Sequence, residues 1–173
     1  EIILTPDNGK LYFTSADRIL NEYILFNPST SPNPSYVGRI SNQDLHGITQ
    51  IPSLLIVTHP SFLAQANELK NFKESYSNIP TLVVTTTQIY TEFSSGKQDV
   101  AAIRDFAKML YERGELKNIL LFGDASYDYK DIIENNTNKV PSYESYDSYH
   151  NVNSYTSDDF YGFLEPNEGA WTE

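Results

Sequence analysis

The run Leu54-Leu55-Ile56-Val57, followed by Thr58-His59-Pro60, decides the fold class of this chain. Four consecutive apolar residues indicate a strand that is covered on both faces, as the strands of a parallel sheet are. Pro60 is typical of a first helical residue, and Ile79-Pro80 ends the predicted helix. The apolar residues of this helix recur at spacings of three, four and seven, which predicts one buried stripe. The stripe consists of Phe62, Leu63, Ala66, Leu69, Phe72 and Tyr76.

The same alternation of strand and helix continues toward the C-terminus. Leu82-Val83-Val84 predicts a second strand, and Ser95 with Gln98 fits a capping box for a second helix that Gly114 would end. Ile119-Leu120-Leu121-Phe122 predicts a third strand, which leads into Gly123-Asp124. The resulting order β-α-β-α-β predicts an α/β fold with three layers and a parallel sheet.

The order of the strands determines where a ligand crevice would open. We predict that the Leu54 strand lies between the Leu82 and Ile119 strands. In parallel sheets ligands bind beyond the carboxyl ends of the strands, where the strand order reverses. The predicted crevice therefore lies between His59 and Asp124.

Different patterns flank this α/β region. Residues 1–50 read as the end of a β-rich module plus a linker, since short apolar stretches alternate with turns and 27–34 contains three prolines. Residues 51–173 are predicted to form one α/β subdomain. Its last part, from residue 125, is polar and rich in tyrosine, with a predicted edge strand at 160–164. The chain begins in a strand-like run and ends without a terminator, so we expect a piece of a longer protein.

The composition excludes several classes of function. Twelve basic against 23 acidic residues give a net charge of −11, which disfavours a nucleic-acid partner. The chain has no cysteine, so it cannot supply a disulfide, a zinc thiolate site or a cysteine nucleophile. Neither Gly-x-Gly-x-x-Gly nor Gly-Lys-Ser/Thr occurs, which argues against a bound nucleotide. No apolar run approaches the length of a membrane span.

Carboxylates at the end of the third strand suggest a site for a hard cation. Asp124 follows the strand, with Asp128 four residues later, and Asp158-Asp159 precede Glu165 and Glu168 in a later loop. We predict that Asp124, Asp128, Asp158 and Asp159 are metal ligands, with Ca²⁺ as the ion, because Ca²⁺ prefers oxygen ligands. The alternatives are that Asp124 forms a turn and that the later acidic residues form a solvated loop.

The histidines do not form a recognisable catalytic pair. They are His46, His59 and His150, and local spacing gives none of them a serine or cysteine partner. His59 directly precedes the predicted first helical residue, so we expect it to cap or pack against the helix. His150 lies in a loop of tyrosine and asparagine, where ring stacking is an equal alternative.

Several motifs in order resemble the gingipain-type cysteine peptidases, in particular the branch that acts as sortase of type IX secretion. They are Leu54–Pro60, Val83–Tyr90, Ala102–Phe106, Ile119–Asp128, Val140–Ser145 and Thr156–Gly162. The resemblance implies a caspase-like catalytic domain of two α/β subdomains, of which this chain supplies the first. The family's His-Gly motif and its cysteine match nothing here, so no catalytic residue can be assigned and we expect the chain alone to be inert.

The resemblance also implies a biological setting. The intact protein would remove a C-terminal signal from secreted cargo and pass the cargo to a surface anchor, on the outer membrane of a Gram-negative bacterium. Expected partners are the cargo, other secretion components and the remainder of the peptidase domain. Two alternatives stay open: a non-enzymatic α/β binding module with a tyrosine-rich recognition surface, and a receiver-like domain that uses Asp124. The sequence downstream of Glu173 discriminates between the enzyme and the binding module.

Overall fold

The computed structural model describes residues 4–14, 22–24, 26–36, 38–129, 132–145, 155–165 and 167–168. The chain divides into two compact units, residues 1–40 and 41–173. In the first unit β1 (Thr5–Asp7) and β2 (Lys10–Tyr12) form an antiparallel hairpin. Asn8 and Gly9 connect the strands with φ of 46° and 76°, the positive values that a two-residue hairpin requires. The assignment of 1–50 to a β-rich module stays a prediction.

A parallel sheet of three strands organises the second unit. β3 (Leu54–Thr58) lies between β4 (Thr81–Thr85) and β5 (Asn118–Phe122), which confirms the predicted strand order. Leu54 is opposite both Thr81 and Asn118, so the strands begin together and also end together. Their carboxyl ends therefore form one even edge.

Three helices cover the two faces of this sheet, as the predicted three-layer fold requires. Leu55 and Val57 of β3 pack in a core with residues of α2 (Thr86–Phe93) and α3 (Val100–Arg113). The alternate residues Leu54 and Ile56 pack in a second cluster with Ala66 of α1 (Leu63–Ser77). All five residues of β3 are buried, because helices lie on both sides of the central strand.

The predicted capping box of the second helix is wrong. Ser95 lies in a turn with a φ of 54°, and α3 begins at Val100, where the Asp99 carboxylate accepts a bond from the Ala101 N–H at 2.8 Å. Helix α2 was not predicted. It has its own capping box, in which Thr85 Oγ1 accepts from the Gln88 N–H at 3.3 Å and Gln88 Oε1 accepts from the Thr85 N–H at 3.0 Å. Gly114 follows the last residue of α3, as predicted.

The predicted buried stripe of the first helix is largely exposed. A short 3-10 helix, Pro60–Phe62, precedes α1, and of the residues in α1 only Ala66 is buried. Phe72 and Tyr76 are 53% and 78% exposed and stack on each other, with ring centroids 5.2 Å apart. The 15 residues of α1 span about 22 Å, whereas the five-residue strands span about 17 Å. Helix α1 is therefore longer than the strands that it covers.

The predicted edge strand at 160–164 is also wrong. Asp159–Gly162 form a 3-10 helix that packs on α3, and the Tyr161 hydroxyl donates a bond to the Pro141 carbonyl. Tyr161 is 1% exposed, because its ring fills the core while its hydroxyl finds that backbone partner. β6 (Tyr143–Glu144) and β7 (Thr156–Ser157) form a small antiparallel pair nearby. In the described part of the chain no helix is long and apolar enough to span a membrane.

Candidate functional site

The candidate site lies at the carboxyl end of the sheet, where β3 and β5 end side by side. Thr58 is fully buried there, and its Oγ1 donates a bond to the Phe122 carbonyl at 3.0 Å. The chain turns from β3 to α1 on one face and reaches β5 after α2 and α3 on the other. The strand order thus reverses between β3 and β5, which is where the crevice between His59 and Asp124 is expected.

His59 follows β3 at this edge of the sheet and acts as a helix cap. Its Nδ1 accepts a bond from the Ser61 N–H at 3.2 Å and lies 2.7 Å from Ser61 Oγ. Burial, and then the positive charge of Lys139, lower the pKa of the His59 imidazole. The neutral ring that results is the form that can accept the capping bond. The predicted capping role is confirmed.

The loop that leaves β5 at Asp124 returns beside it at Lys139 and Val140. Both ends of this loop line a cavity of the candidate site. The Asp124 carbonyl accepts bonds from the N–H groups of Lys139 and Val140 at 2.8 and 3.1 Å. This pairing brings the returning chain so close to Gly123 that an added Cβ would lie 3.0 Å from Val140 Cγ2. Close packing therefore favours glycine at the start of the loop.

Polar side chains inside the loop hold its shape. Asn138 Oδ1 accepts a bond from the Ser126 N–H at 3.3 Å, and the Asn136 side-chain amide donates to the Asp128 carbonyl. The Asp128 carboxylate accepts a bond from the Ile133 N–H at 2.7 Å. Asp128 is thus engaged in closing the loop.

The structure brings two of the four predicted metal ligands to one cavity. Asp124 and Asp158 line a cavity of about 470 Å³ together with Ser126, Ser142 and Ser157. Asp159 lines a neighbouring cavity along β5 instead. No group of three or more His, Asp or Glu side chains that could hold a metal ion occurs among the residues described. Two carboxylates and nearby hydroxyls are the oxygen donors that Ca²⁺ prefers, and the calcium site stays a prediction.

The acidic residues that follow Asp159 are engaged with neighbours. Glu168 Oε2 accepts bonds from the N–H groups of Leu164 and Glu165, each at 3.1 Å. Glu165 Oε1 accepts from the Tyr111 hydroxyl at 2.8 Å, and this bond raises the pKa of the phenol. Glu168 therefore closes a turn between residues 164 and 168. This agrees with the alternative that the later acidic residues form a solvated loop.

His46 lies outside the crevice, in a side-chain contact with Glu92 that attaches the start of the second unit to α2. Its Nδ1 lies 2.7 Å from Glu92 Oε2, and its ring stacks on Phe93 with centroids 4.4 Å apart. The Glu92 carboxylate also accepts bonds from the N–H groups of Leu45 and His46, at 2.6 and 3.1 Å. Burial acts to raise the pKa of Glu92, but these bonds outweigh it and the pKa is lowered. The sequence analysis did not identify Glu92 as a partner of His46. The third histidine, His150, lies outside the described residues.

A comparison with known families places this fold among the gingipain-type cysteine peptidases. A model of peptidase family C25 matches residues 48–172, and the chain belongs to that family. This result confirms the resemblance seen in the sequence motifs.

Among solved structures, the crystal structure of dimeric latent PorU from Porphyromonas gingivalis is similar to this chain. The two are 32% identical, with a TM-score of 0.68 over 79% of this chain. The matched region is 14% of the PorU chain, so this sequence spans a small part of that relative's length. No curated protein matches the chain.

Proposed function

We propose that this chain is part of a cysteine endopeptidase that removes C-terminal signals from cargo in type IX secretion and transfers the cargo to a surface anchor. The observation that carries the proposal is the 32% identity with PorU over 79% of this chain. The protein would act at the outer face of the outer membrane of a Gram-negative bacterium. Its partners would be the cargo, other secretion components and the remainder of its own peptidase domain.

The chain would contribute a wall of the substrate crevice to this enzyme. The bond between Thr58 and Phe122 fixes the ends of two strands, and the pairing of Asp124 with the returning loop fixes the rim beside them. A cysteine peptidase attacks the scissile carbonyl with a thiolate. The chain contains no cysteine, so the thiolate would come from the remainder of the protein.

The test compares this chain with the intact protein on a cargo that carries a C-terminal signal. We expect mass spectrometry to show release of the signal by the intact protein, loss of release after alkylation of thiols, and no release by this chain alone. Failure of the intact protein to process any such cargo would contradict the proposal. Cleavage by this chain that survives repurification and is lost on mutation of one of its residues would contradict the inertness of the chain.

A second candidate function is a binding module, either within the peptidase or separate from it. The observation that favours it is the exposure of tyrosine rings around residues 127–129, since such rings give a large contact area at a low entropic cost. The receiver-like alternative is set aside, because the chain belongs to a peptidase family.

A further inference from the structure

The turn between β1 and β2 contains an asparagine that a glycine follows directly. Asn8 and Gly9 are both exposed, and an added Cβ at Gly9 would meet no atom within 4 Å. No other glycine of the sequence follows an asparagine. Neither neighbouring atoms nor a side chain of residue 9 therefore crowd the peptide bond between the two residues.

The hairpin leaves the reactive groups of this turn without partners. Asp7 is opposite Lys10 in the strand register, so the ladder uses backbone groups on either side of the turn. In the described part of the chain, neither the Gly9 N–H nor the Asn8 side-chain amide has a hydrogen-bond partner. The backbone nitrogen of Gly9 and the amide carbon of Asn8 can therefore react with each other once the turn opens.

We propose that this turn is a site of self-modification, at which Asn8 loses its side-chain amide. The Gly9 nitrogen gives its proton to a hydroxide ion and attacks Asn8 Cγ, which closes a five-membered succinimide ring. The bond from Cγ to the side-chain nitrogen breaks, and that nitrogen takes a proton from water and leaves as ammonia. Water then opens the ring at either carbonyl carbon and produces an aspartate or an isoaspartate at this position. Water is the only co-reactant, and the hydroxide ion is regenerated.

The next residue distinguishes Asn8 from two asparagines in the same backbone conformation. Asn78 and Asn135 are exposed and have φ of 52° and 61°, against 46° at Asn8. There the next residues are Ile79 and Asn136, whose Cβ atoms crowd the attacking nitrogen, whereas a glycine has no Cβ. The Ile79 N–H also donates a backbone bond at 3.1 Å. We therefore expect Asn8 to react fastest of the three.

Opening of the hairpin controls the rate and is in turn changed by the product. Ring closure requires Asn8 to rotate out of the left-handed conformation, so the turn opens before it reacts. Opening costs little free energy, because all residues of β1 and β2 are exposed and two-stranded hairpins are only marginally stable. An isoaspartate adds one carbon to the main chain, which disrupts the two-residue spacing that keeps Asp7 opposite Lys10. The inference does not depend on the proposed peptidase function.

The test incubates the full 173-residue chain in mildly alkaline buffer and maps its peptides by mass spectrometry after digestion in acid, where the ring does not form. We expect a gain of about 1 Da at Asn8, the difference between an amide and an acid. This gain is at least about tenfold faster than at Asn78 or Asn135, because glycine leaves the attacking nitrogen uncrowded. Synthetic peptides identify the isoaspartate by its retention time. Equal rates at the three asparagines would overturn the proposal, as would an unmodified Asn8 when a peptide of residues 4–13 reacts completely.

Variants separate the chemistry from the opening of the hairpin. Asn8→Gln abolishes the gain, because its longer side chain would have to close a six-membered ring. Leu11→Gly weakens β2 and speeds the reaction at Asn8, while the rate at Asn135 in the same sample stays the same. The readout is a mass at one position, so it does not require that a variant hairpin forms. A gain that persists in Asn8→Gln, or a rate that Leu11→Gly leaves unchanged, would contradict the assigned mechanism.

Discussion

The Glu92 carboxylate allows a sharp test of how the second unit is held together. It accepts three bonds, from the N–H groups of Leu45 and His46 and from the His46 ring, and its side chain is only 17% exposed. Glutamine at this position keeps one neutral acceptor and places an NH₂ group against a backbone N–H. We expect Glu92→Gln to lower the free energy of unfolding by about 2 kcal/mol, because bonds to a charged acceptor are lost.

Urea unfolding measures this change. With a slope of about 2 kcal/mol per molar urea, a loss of about 2 kcal/mol moves the midpoint down by roughly 1 M. Glu115→Gln is the matched control, since the Glu115 side chain is 83% exposed and we expect an effect below about 0.5 kcal/mol. Equal midpoints for the two variants would refute the assigned role of Glu92.

The pH dependence of the free energy of unfolding gives a second test of the Glu92 carboxylate. Its pKa in the folded protein lies below the ordinary value of 4.5, so the ionised form stabilises the fold. That contribution is complete above pH 4.5 and is lost as the pH falls through the lower folded-state pKa. We therefore expect the difference between wild type and Glu92→Gln to shrink as the pH falls below 4.5. A difference that persists unchanged at the lowest pH would contradict this assignment.

Three further predictions concern the core, the helix cap and the cation. Phe106→Ala, at a fully buried position, lowers the free energy of unfolding by about 3–5 kcal/mol. Phe72→Ala, on the exposed part of α1, lowers it far less, and similar urea midpoints for the two variants would contradict the placement of the core. Thr85→Ala costs about 1 kcal/mol and speeds amide exchange in α2, with unchanged exchange as the contrary result. Ca²⁺ raises the thermal midpoint of the chain, and Asp124→Asn or Asp158→Asn removes the shift; no shift at millimolar Ca²⁺ would leave both as ordinary loop residues.

Much of the sheet could be predicted because each of its strands contains a run of consecutive apolar residues. In β3 the run Leu54–Val57 is apolar throughout, and the sequence order of strands and helices leaves few topologies. Helix α2 was missed because threonine and isoleucine in 86–93 favour strand conformation by propensity. The signal that could have found it is Thr85 with Gln88, a capping box of the same type as the one wrongly assigned to Ser95.

The site was less predictable than the sheet, since spacing along the chain says little about convergence in loops. Asp124 and Asp158 line the same cavity although 34 positions separate them. Asp128 is only four positions from Asp124, but its carboxylate accepts a bond from the Ile133 N–H within its own loop.

The central position of β3 has a consequence for folding during synthesis on the ribosome. The edge of β3 that faces β5 can pair only after Phe122 has been synthesised, 64 residues after its partner Thr58. At about 5–20 residues per second, synthesis of this interval takes roughly 3 to 13 s. During that time the strand Leu54–Thr58, which is buried in the folded protein, has one open edge, so nascent chains that stop before Asn118 become candidates for chaperone capture or aggregation.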